Sequence, residues 1–286
     1  MSDDPRKEIR ISPSLVNKMF PDGNEIKFCS RRLYMENIEK VYRTKDTEAQ
    51  AAGKFFEYIC LGAGADMSNL VTDFRDIKKG RGGEKSIDQV RIEDQARVFE
   101  EIYPTFGVNL DRTQERIEKE WDHTNNVWAD QYRIMVTGIT DFMSPIMTSN
   151  AFTQNDERTI INEKMAVHDL KLTKDIYGGP HTSRSWANPW TMSQNQGIMY
   201  HIITGFPVFF WVFDYKSRPE FRIYQKEINA INLAETHEAI RKTAEMYVEL
   251  HEAGWPSYPA YHRCKSCELT NAHCDQRTNN PDIQIY

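Results

Sequence analysis

Gly138-Ile139-Thr140-Asp141-Phe142, followed 28 residues after Asp141 by the acid of His168-Asp169-Leu170-Lys171, is the stretch on which the reading of the fold turns. Each end places an acidic residue on a segment that reads as strand. Asp169 and Lys171 are two apart, so on a strand both point to one face. Two carboxylates and an ammonium on one side of a sheet are costly unless something uses them. A divalent cation held by the carboxylates, with the lysine beside the reacting water, is one such use. A solvated sheet face with scattered charges is the other reading, and for an isolated Asp-x-Lys it is the commoner one. The rest of the chain decides between them.

From about Arg116 the period of the sequence is two: Ile117, Glu118, Lys119, Glu120 and Trp121 alternate, and Asn125-Asn126 makes a turn. Residues 128–143 give one or two further strands and 159–172 another, with 148–158 as a polar loop between them. This is an antiparallel, hairpin-rich sheet running into the Asp-x-Lys strand. Tyr177-Gly178-Gly179-Pro180-His181 is a connection, and Asn188-Pro189 precedes a helix over 190–204 that carries Gln196, Tyr200 and His201. Residues 208–215 are a strongly apolar strand that pairs with 221–224 across Lys216-Ser217-Arg218-Pro219. A long amphipathic helix starts near Asn232, its expected N-cap, and ends near residue 253, before Pro256 and Pro259.

Upstream of the sheet the chain reads as helical. Residues 1–10 are a polar tail. Ser12 caps a short helix with Pro13 at its first position, and Pro21-Asp22-Gly23 ends it. A second helical piece opens at Phe28-Cys29-Ser30. A stronger helix spans about 46–63, with Ala51, Ala52, Phe55, Phe56, Ile59 and Cys60 apolar. Gly53 lies inside it at a cost of about 1 kcal/mol relative to Ala, a sign of close packing or of nothing in particular. Glu57 is four residues on and shares its face. Residues 75–86 are a basic, glycine-rich linker, read as a solvated loop ahead of one that touches phosphates. A helix follows over 87–103, broken at Pro104-Thr105-Phe106-Gly107.

The 286 residues, 40% of them hydrophobic and 12% aromatic, suffice for one large domain or a domain with an appended piece. Neither a signal peptide nor an apolar run long enough to span a bilayer is visible, so a soluble, cytoplasmic protein without a membrane partner is expected. The net charge of −6 provides no global basic field, and a nucleic-acid partner would need a local basic groove.

The order of features is a helix with Glu57, hairpin strands with Gly138-x-x-Asp141, a strand with Asp169-x-Lys171, and a helix with Gln196-x-x-x-Tyr200. It resembles the RecB-like branch of the PD-(D/E)XK nuclease superfamily, over roughly residues 11–275. The resemblance implies an α/β fold with a restriction-endonuclease-like core: a central mixed sheet flanked by helices. It implies that Asp141 and Asp169, with the backbone carbonyl of Leu170, hold Mg2+ or Mn2+, and that Lys171 serves the attacking water. Gln196 and Tyr200 would line the site, contacting DNA or orienting Lys171. Hard oxygen ligands suit such a cation, which acidifies water and offsets charge at a phosphate. The chain departs from the pattern in one place: the usual Gly-x-x-x-His is Gly53-Lys54-Phe55-Phe56-Glu57, with a glutamate where the histidine would bind metal. Glutamate also ligates Mg2+, so Glu57 is taken as a further ligand, with a helix-surface carboxylate as its rival.

Of the five cysteines, Cys60 falls on an apolar helix face and reads as core. Cys264-x-x-Cys267 followed by Cys274 has metal-ligand spacing but is one ligand short of a tetrahedral or cubane site. Cys29 could complete it. One early and three late cysteines are similar to the iron–sulfur nucleases of the superfamily, the AddB-type and CRISPR-adaptation exonucleases. The likeness implies a structural [4Fe–4S] cluster on Cys29, Cys264, Cys267 and Cys274 that ties the termini together. Zinc is the alternative, with His262 or His273 as a fourth ligand. His168 should face away from the site. His181, Arg184, Trp186 and Trp190 are weaker candidates for substrate contact.

The expectation is thus a nuclease domain over 11–275, including a cysteine segment over 254–275, with tails at 1–10 and 276–286. Its function would be metal-dependent hydrolysis of DNA phosphodiester bonds, as an exonuclease on single strands or duplex ends. Protein partners in recombination, repair or CRISPR adaptation are implied. The rival is a nucleic-acid-binding or assembly protein on the same fold, catalytically inactive or zinc-containing.

Overall fold

A computed structural model describes residues 6–19, 29–39, 47–62, 85–123, 128–153, 157–177, 194–216 and 220–256. In chain order they form β1 (Lys7–Ile11), α1 (Pro13–Met19), α2 (Ser30–Asn37), α3 (Glu48–Leu61), α4 (Ile87–Ile102), a 3-10 turn (Tyr103–Phe106), β2 (Thr113–Glu120), β3 (Tyr132–Phe152), β4 (Arg158–Thr173), α5 (Gln194–Thr204), β5 (Val208–Asp214), β6 (Glu220–Gln225) and α6 (Ala230–Glu252). Contacts divide the chain into two compact units. One comprises Met1–Lys45, Asp122–Ile134 and His237–Tyr286, the other Asp46–Trp121 and Met135–Thr236.

The second unit is α/β, with a mixed sheet flanked by helices. β3 runs antiparallel to both β2 and β4, β4 is parallel to β5, and β5 is antiparallel to β6. A parallel pair needs a crossover, and α5 lies in the connection between β4 and β5. All seven residues of β5, Val-Phe-Phe-Trp-Val-Phe-Asp, are buried, as a strand covered on both faces requires. On one face Phe209, Trp211 and Phe213 meet Phe142, Ala166 and Leu170 beneath Phe55, Phe56, Ile92, Ala96 and Phe99 of α3 and α4. Phe99 stands edge-on to Trp211, with ring centroids 5.7 Å apart, a favoured aromatic geometry. On the opposite face Val167 and Val208 pack with Met143 and Tyr200 of α5, while Phe210, Val212 and Tyr224 pack with Ile176.

Local chemistry fixes the helix starts. Thr47 closes a capping box with Gln50 at α3, and Ser86 accepts from the Gln89 amide at α4. Nothing lies within 4 Å of a Cβ placed on Gly53, so that glycine does not mark close packing. The cap of α6 is Asn229 rather than Asn232. The Asn232 amide donates to the Asn229 side chain at 2.9 Å and the Asn232 side chain accepts from the Asn229 amide at 3.0 Å, so Asn232 is the third residue of the box.

The expected polar loop over 148–158 is also shorter than the sequence suggests. β3 continues to Phe152 and β4 begins at Arg158. Register shifts between Ser144 and Ile146 and between Thr148 and Ala151 absorb the irregularity. The long interval between Asp141 and Asp169 is therefore an extended hairpin.

In the first unit, Leu15 and Met19 of α1, Leu33 of α2, Leu250 of α6 and Trp255 form a cluster. Trp255 lies 5.3 Å from the Tyr34 ring and 5.0 Å from that of Tyr247. The reading of residues 1–10 as a polar tail does not hold from Lys7 onward, where strand β1 begins. Ile9 and Ile11 alternate and are 2% and 0% exposed, and the Lys7 amide donates to the Gln131 carbonyl at 2.8 Å. The apolar alternation there is short and set among charges, which hides it in the sequence.

Candidate active site

Pairing of β3 with β4 brings the two aspartates together. Met143 faces Val167 and Phe142 faces His168. One further step in that register sets Asp141 opposite Asp169. Asp141 Oδ2 accepts a hydrogen bond from the amide of Leu170, the residue after Asp169, at 2.5 Å. Asp141 is 8% and Asp169 2% exposed. Lys171 points to the same face as Asp169, and its ammonium forms an ion pair with Asp169 Oδ2. Its side chain is 26% exposed, so it lies at the rim rather than in the interior.

Helix α5 closes the site from one side. Gln196 donates through Nε2 to Asp169 Oδ1 at 2.7 Å and to the Tyr200 hydroxyl at 3.0 Å. The Tyr200 hydroxyl donates in turn to the Ile139 carbonyl on β3 at 2.7 Å. Gly138 makes this possible, since a Cβ there would stand 2.6 Å from Cε1 of the Tyr200 ring. Gly197, next to Gln196, is close-packed as well, with the Lys226 stem 3.0 Å and the Phe210 ring 3.2 Å from a Cβ position. Thus Asp141, Asp169, Lys171, Gln196 and Tyr200 converge.

Glu57 reaches the same region from α3. Its Oε1 accepts a hydrogen bond from Gln114 Nε2 at 2.7 Å. Gln114 is a residue that sequence reasoning missed. It lies at the start of β2 with φ of 52°, in the left-handed region that side chains other than glycine seldom adopt. Nothing in Thr113-Gln114-Glu115 signals this, because the conformation comes from tertiary pairing.

The electrostatics follow from burial of like charges. The Asp141 carboxyl is held well above the ordinary carboxylate range, first by burial and then by Asp169 and Glu57. Burial also raises Asp169, against the pull of Lys171. For Lys171, burial favours the neutral amine, but Asp169 and Asp141 together outweigh it and the ammonium is strengthened. One ammonium thus faces three acids, an imbalance that an added cation would relieve.

Asp169 Oδ2 is buried and, apart from the Lys171 ion pair, has no hydrogen-bond partner. Three carboxylates, together with the expected carbonyl of Leu170, are hard oxygen donors of the kind Mg2+ and Mn2+ take. They fit in chemistry. They are not drawn into a finished ligand shell: among the described residues no three His, Cys, Asp or Glu side chains form a ready metal-holding group. Glu57 is engaged by Gln114 and Asp169 by Lys171.

His168 lies on the other face of β4, where sequence reasoning put it. Its Nδ1 accepts from the Trp211 indole at 3.0 Å, so its Nε2 carries the proton donated to the Ser144 carbonyl at 3.1 Å. It stacks on Phe142 at 4.5 Å, and burial pushes its pKa down to about 3, leaving the ring neutral. Cys60 is buried in the core, its thiol pushed up by burial.

Cys29 is half-buried at the N-cap of α2. The hydroxyl of the next residue, Ser30, donates to the Pro256 carbonyl, close to the start of the cysteine segment. Cys264, Cys267, Cys274, His262 and His273 lie outside the described residues, as do His181, Arg184, Trp186, Trp190 and the basic linker up to Glu84.

No known family profile matches the chain, and no curated protein matches it in sequence. Among solved structures it is similar to a crystal structure of a candidate exonuclease from Eubacterium rectale, with a TM-score of 0.57 and 14% identity over 97% of this chain and 90% of that one. At that identity the likeness shows the fold alone, an α/β architecture. Among the described residues no helix is long and apolar enough to cross a membrane.

Proposed function

We propose that this chain is a divalent-metal-dependent DNA nuclease of the RecB-like PD-(D/E)XK kind, acting as an exonuclease on single strands or duplex ends. The observation that carries the reading is the pair Asp141 and Asp169, buried side by side with Lys171 on Asp169 Oδ2 and Gln196 on Oδ1. Buried acids held at a cost to stability are a mark of function. The shared fold with a candidate exonuclease points the same way.

In this reading Asp141, Asp169 and Glu57, with the Leu170 carbonyl, hold Mg2+ or Mn2+. Such an ion lowers the pKa of bound water and offsets charge at the phosphate. Gln196 fixes the rotation of Asp169, and Tyr200 fixes Gln196 to β3 through Ile139. Lys171, at the rim, is placed to release Asp169 and bring its ammonium to the attacking water or the phosphate. Digestion of end-labelled single- and double-stranded DNA with Mg2+ or Mn2+ tests the reading. Metal-dependent cutting that Lys171→Ala reduces supports it, and undiminished cutting by that variant removes it.

The same proposal assigns Cys29, with Cys264, Cys267 and Cys274, to a structural [4Fe–4S] cluster. The bond from Ser30, the residue after Cys29, to the Pro256 carbonyl supports it, because it ties the Cys29 end of α2 to Pro256, eight residues before Cys264 in sequence. A brown protein with iron–thiolate absorption after anaerobic purification agrees with the assignment, and a colourless protein containing zinc contradicts it.

A further inference from the structure

We infer that Gln114 is a positioning residue that holds Glu57 as a ligand for the divalent cation; the inference rests on the nuclease reading above and deepens it. Three observations carry it. Gln114 Nε2 donates to Glu57 Oε1 at 2.7 Å, across 57 positions of sequence. A carboxylate only accepts, so the amide must present its NH2 group to it, and Oε2 is left for a ligand. In β2, Thr113 faces Phe142 and Glu115 faces Thr140, which sets Gln114 level with Asp141. Gln114 also keeps a left-handed φ of 52°, where glycine would be unstrained. A backbone outlier held beside buried acids is where function is to be sought.

The amide is suited to the task because it is neutral. A lysine or arginine in its place would hold Glu57 equally well but cancel its charge and compete with the cation. Gln114 fixes the carboxylate and leaves the negative charge intact. Gln114 thereby supplies the orientation that a metal-binding side chain on a helix needs from its neighbours. It solves a problem created by the glutamate at this position, whose side chain has one more rotatable bond than that of histidine.

Mn2+ binding by the full-length protein, measured by calorimetry or by loss of the free-ion paramagnetic signal, tests the inference without DNA. Gln114→Gly relaxes the backbone and removes the amide, while Gln114→Lys keeps a donor and adds charge. Each should raise the Mn2+ dissociation constant about tenfold or more. The metal-free melting temperature of Gln114→Gly should hold or rise. A role confined to structure predicts the reverse pattern, lower melting and unchanged Mn2+ affinity. Wild-type affinity in either variant overturns the inference. Asp169→Asn serves as the separate arm: if it binds Mn2+ as tightly as the wild type, the nuclease reading itself fails, whereas its loss of binding alongside a normal Gln114→Gly removes only the role of Gln114.

Discussion

Gly138 and Tyr200 occupy one another's space, since a Cβ on Gly138 would stand 2.6 Å from the Tyr200 ring. The missing side chain lets the tyrosine cross β3 and bond the Ile139 carbonyl. Gly138→Ala forces the ring away, and with it the Gln196 link to Asp169. The expected cost is about 1–3 kcal/mol of stability, typical of overpacking, read by urea unfolding, together with slower metal-dependent cleavage.

Tyr200→Phe keeps the ring and deletes the hydroxyl. The Ile139 carbonyl and the Gln196 amide each lose a partner. Stability should fall by about 1 kcal/mol, and cleavage should fall further than that loss explains, because Gln196 no longer holds Asp169 from a fixed point. Equal activity of Tyr200→Phe and wild type would show that the tyrosine only packs.

His168 is neutral in the fold, with its pKa near 3, against about 6.5 in an unfolded chain. A His with a depressed native pKa contributes stability that is complete above the unfolded value. Between about pH 6.5 and 3 the unfolded state takes up a proton that the native state refuses, so stability drops through that window. At about 1.36 kcal/mol per pKa unit, several kcal/mol are at stake. His168→Gln should flatten the acid limb of the stability curve, measured by urea unfolding at successive pH values, at a cost in packing on Phe142.

Asp141 behaves in the opposite sense. Its native pKa is raised, so its charge is a burden at neutral pH that is relieved as pH falls through the native value. Asp141→Asn can still accept from the Leu170 amide while shedding that charge. In chelator the variant should melt a few degrees above the wild type. Adding Mn2+ should raise the melting temperature of the wild type, as a ligand of the native state must, and leave that of Asp141→Asn unchanged.

Much of this arrangement was legible in the sequence because it is carried by short periods. Asp169 and Lys171 are two apart on a strand, Gln196 and Tyr200 four apart on a helix, and β5 is a continuous apolar run, so their faces follow from geometry alone. His168, between strand neighbours of the other parity, belongs on the far face for the same reason. What stayed hidden depends on distant pairing. The left-handed φ of Gln114 and its bond to Glu57 join residues 57 positions apart and leave no local mark. Strand β1 rests on two isoleucines among charges, and β3 extends through the polar Thr148-Ser149-Asn150 because β4 answers it across the hairpin. The cap of α6 slipped by three residues because Asn229 and Asn232 are both good caps, and only their reciprocal bonding ranks them.

The most direct measurement of the central claim is cleavage of end-labelled DNA by the purified protein in Mg2+ or Mn2+, run beside Lys171→Ala and Asp169→Asn. The account predicts metal-dependent release of labelled product by the wild type, abolished by chelator, and rates lower by about a hundredfold or more in both variants. Cleavage by Lys171→Ala at the wild-type rate, or a wild type that cuts no DNA with either metal, would contradict it.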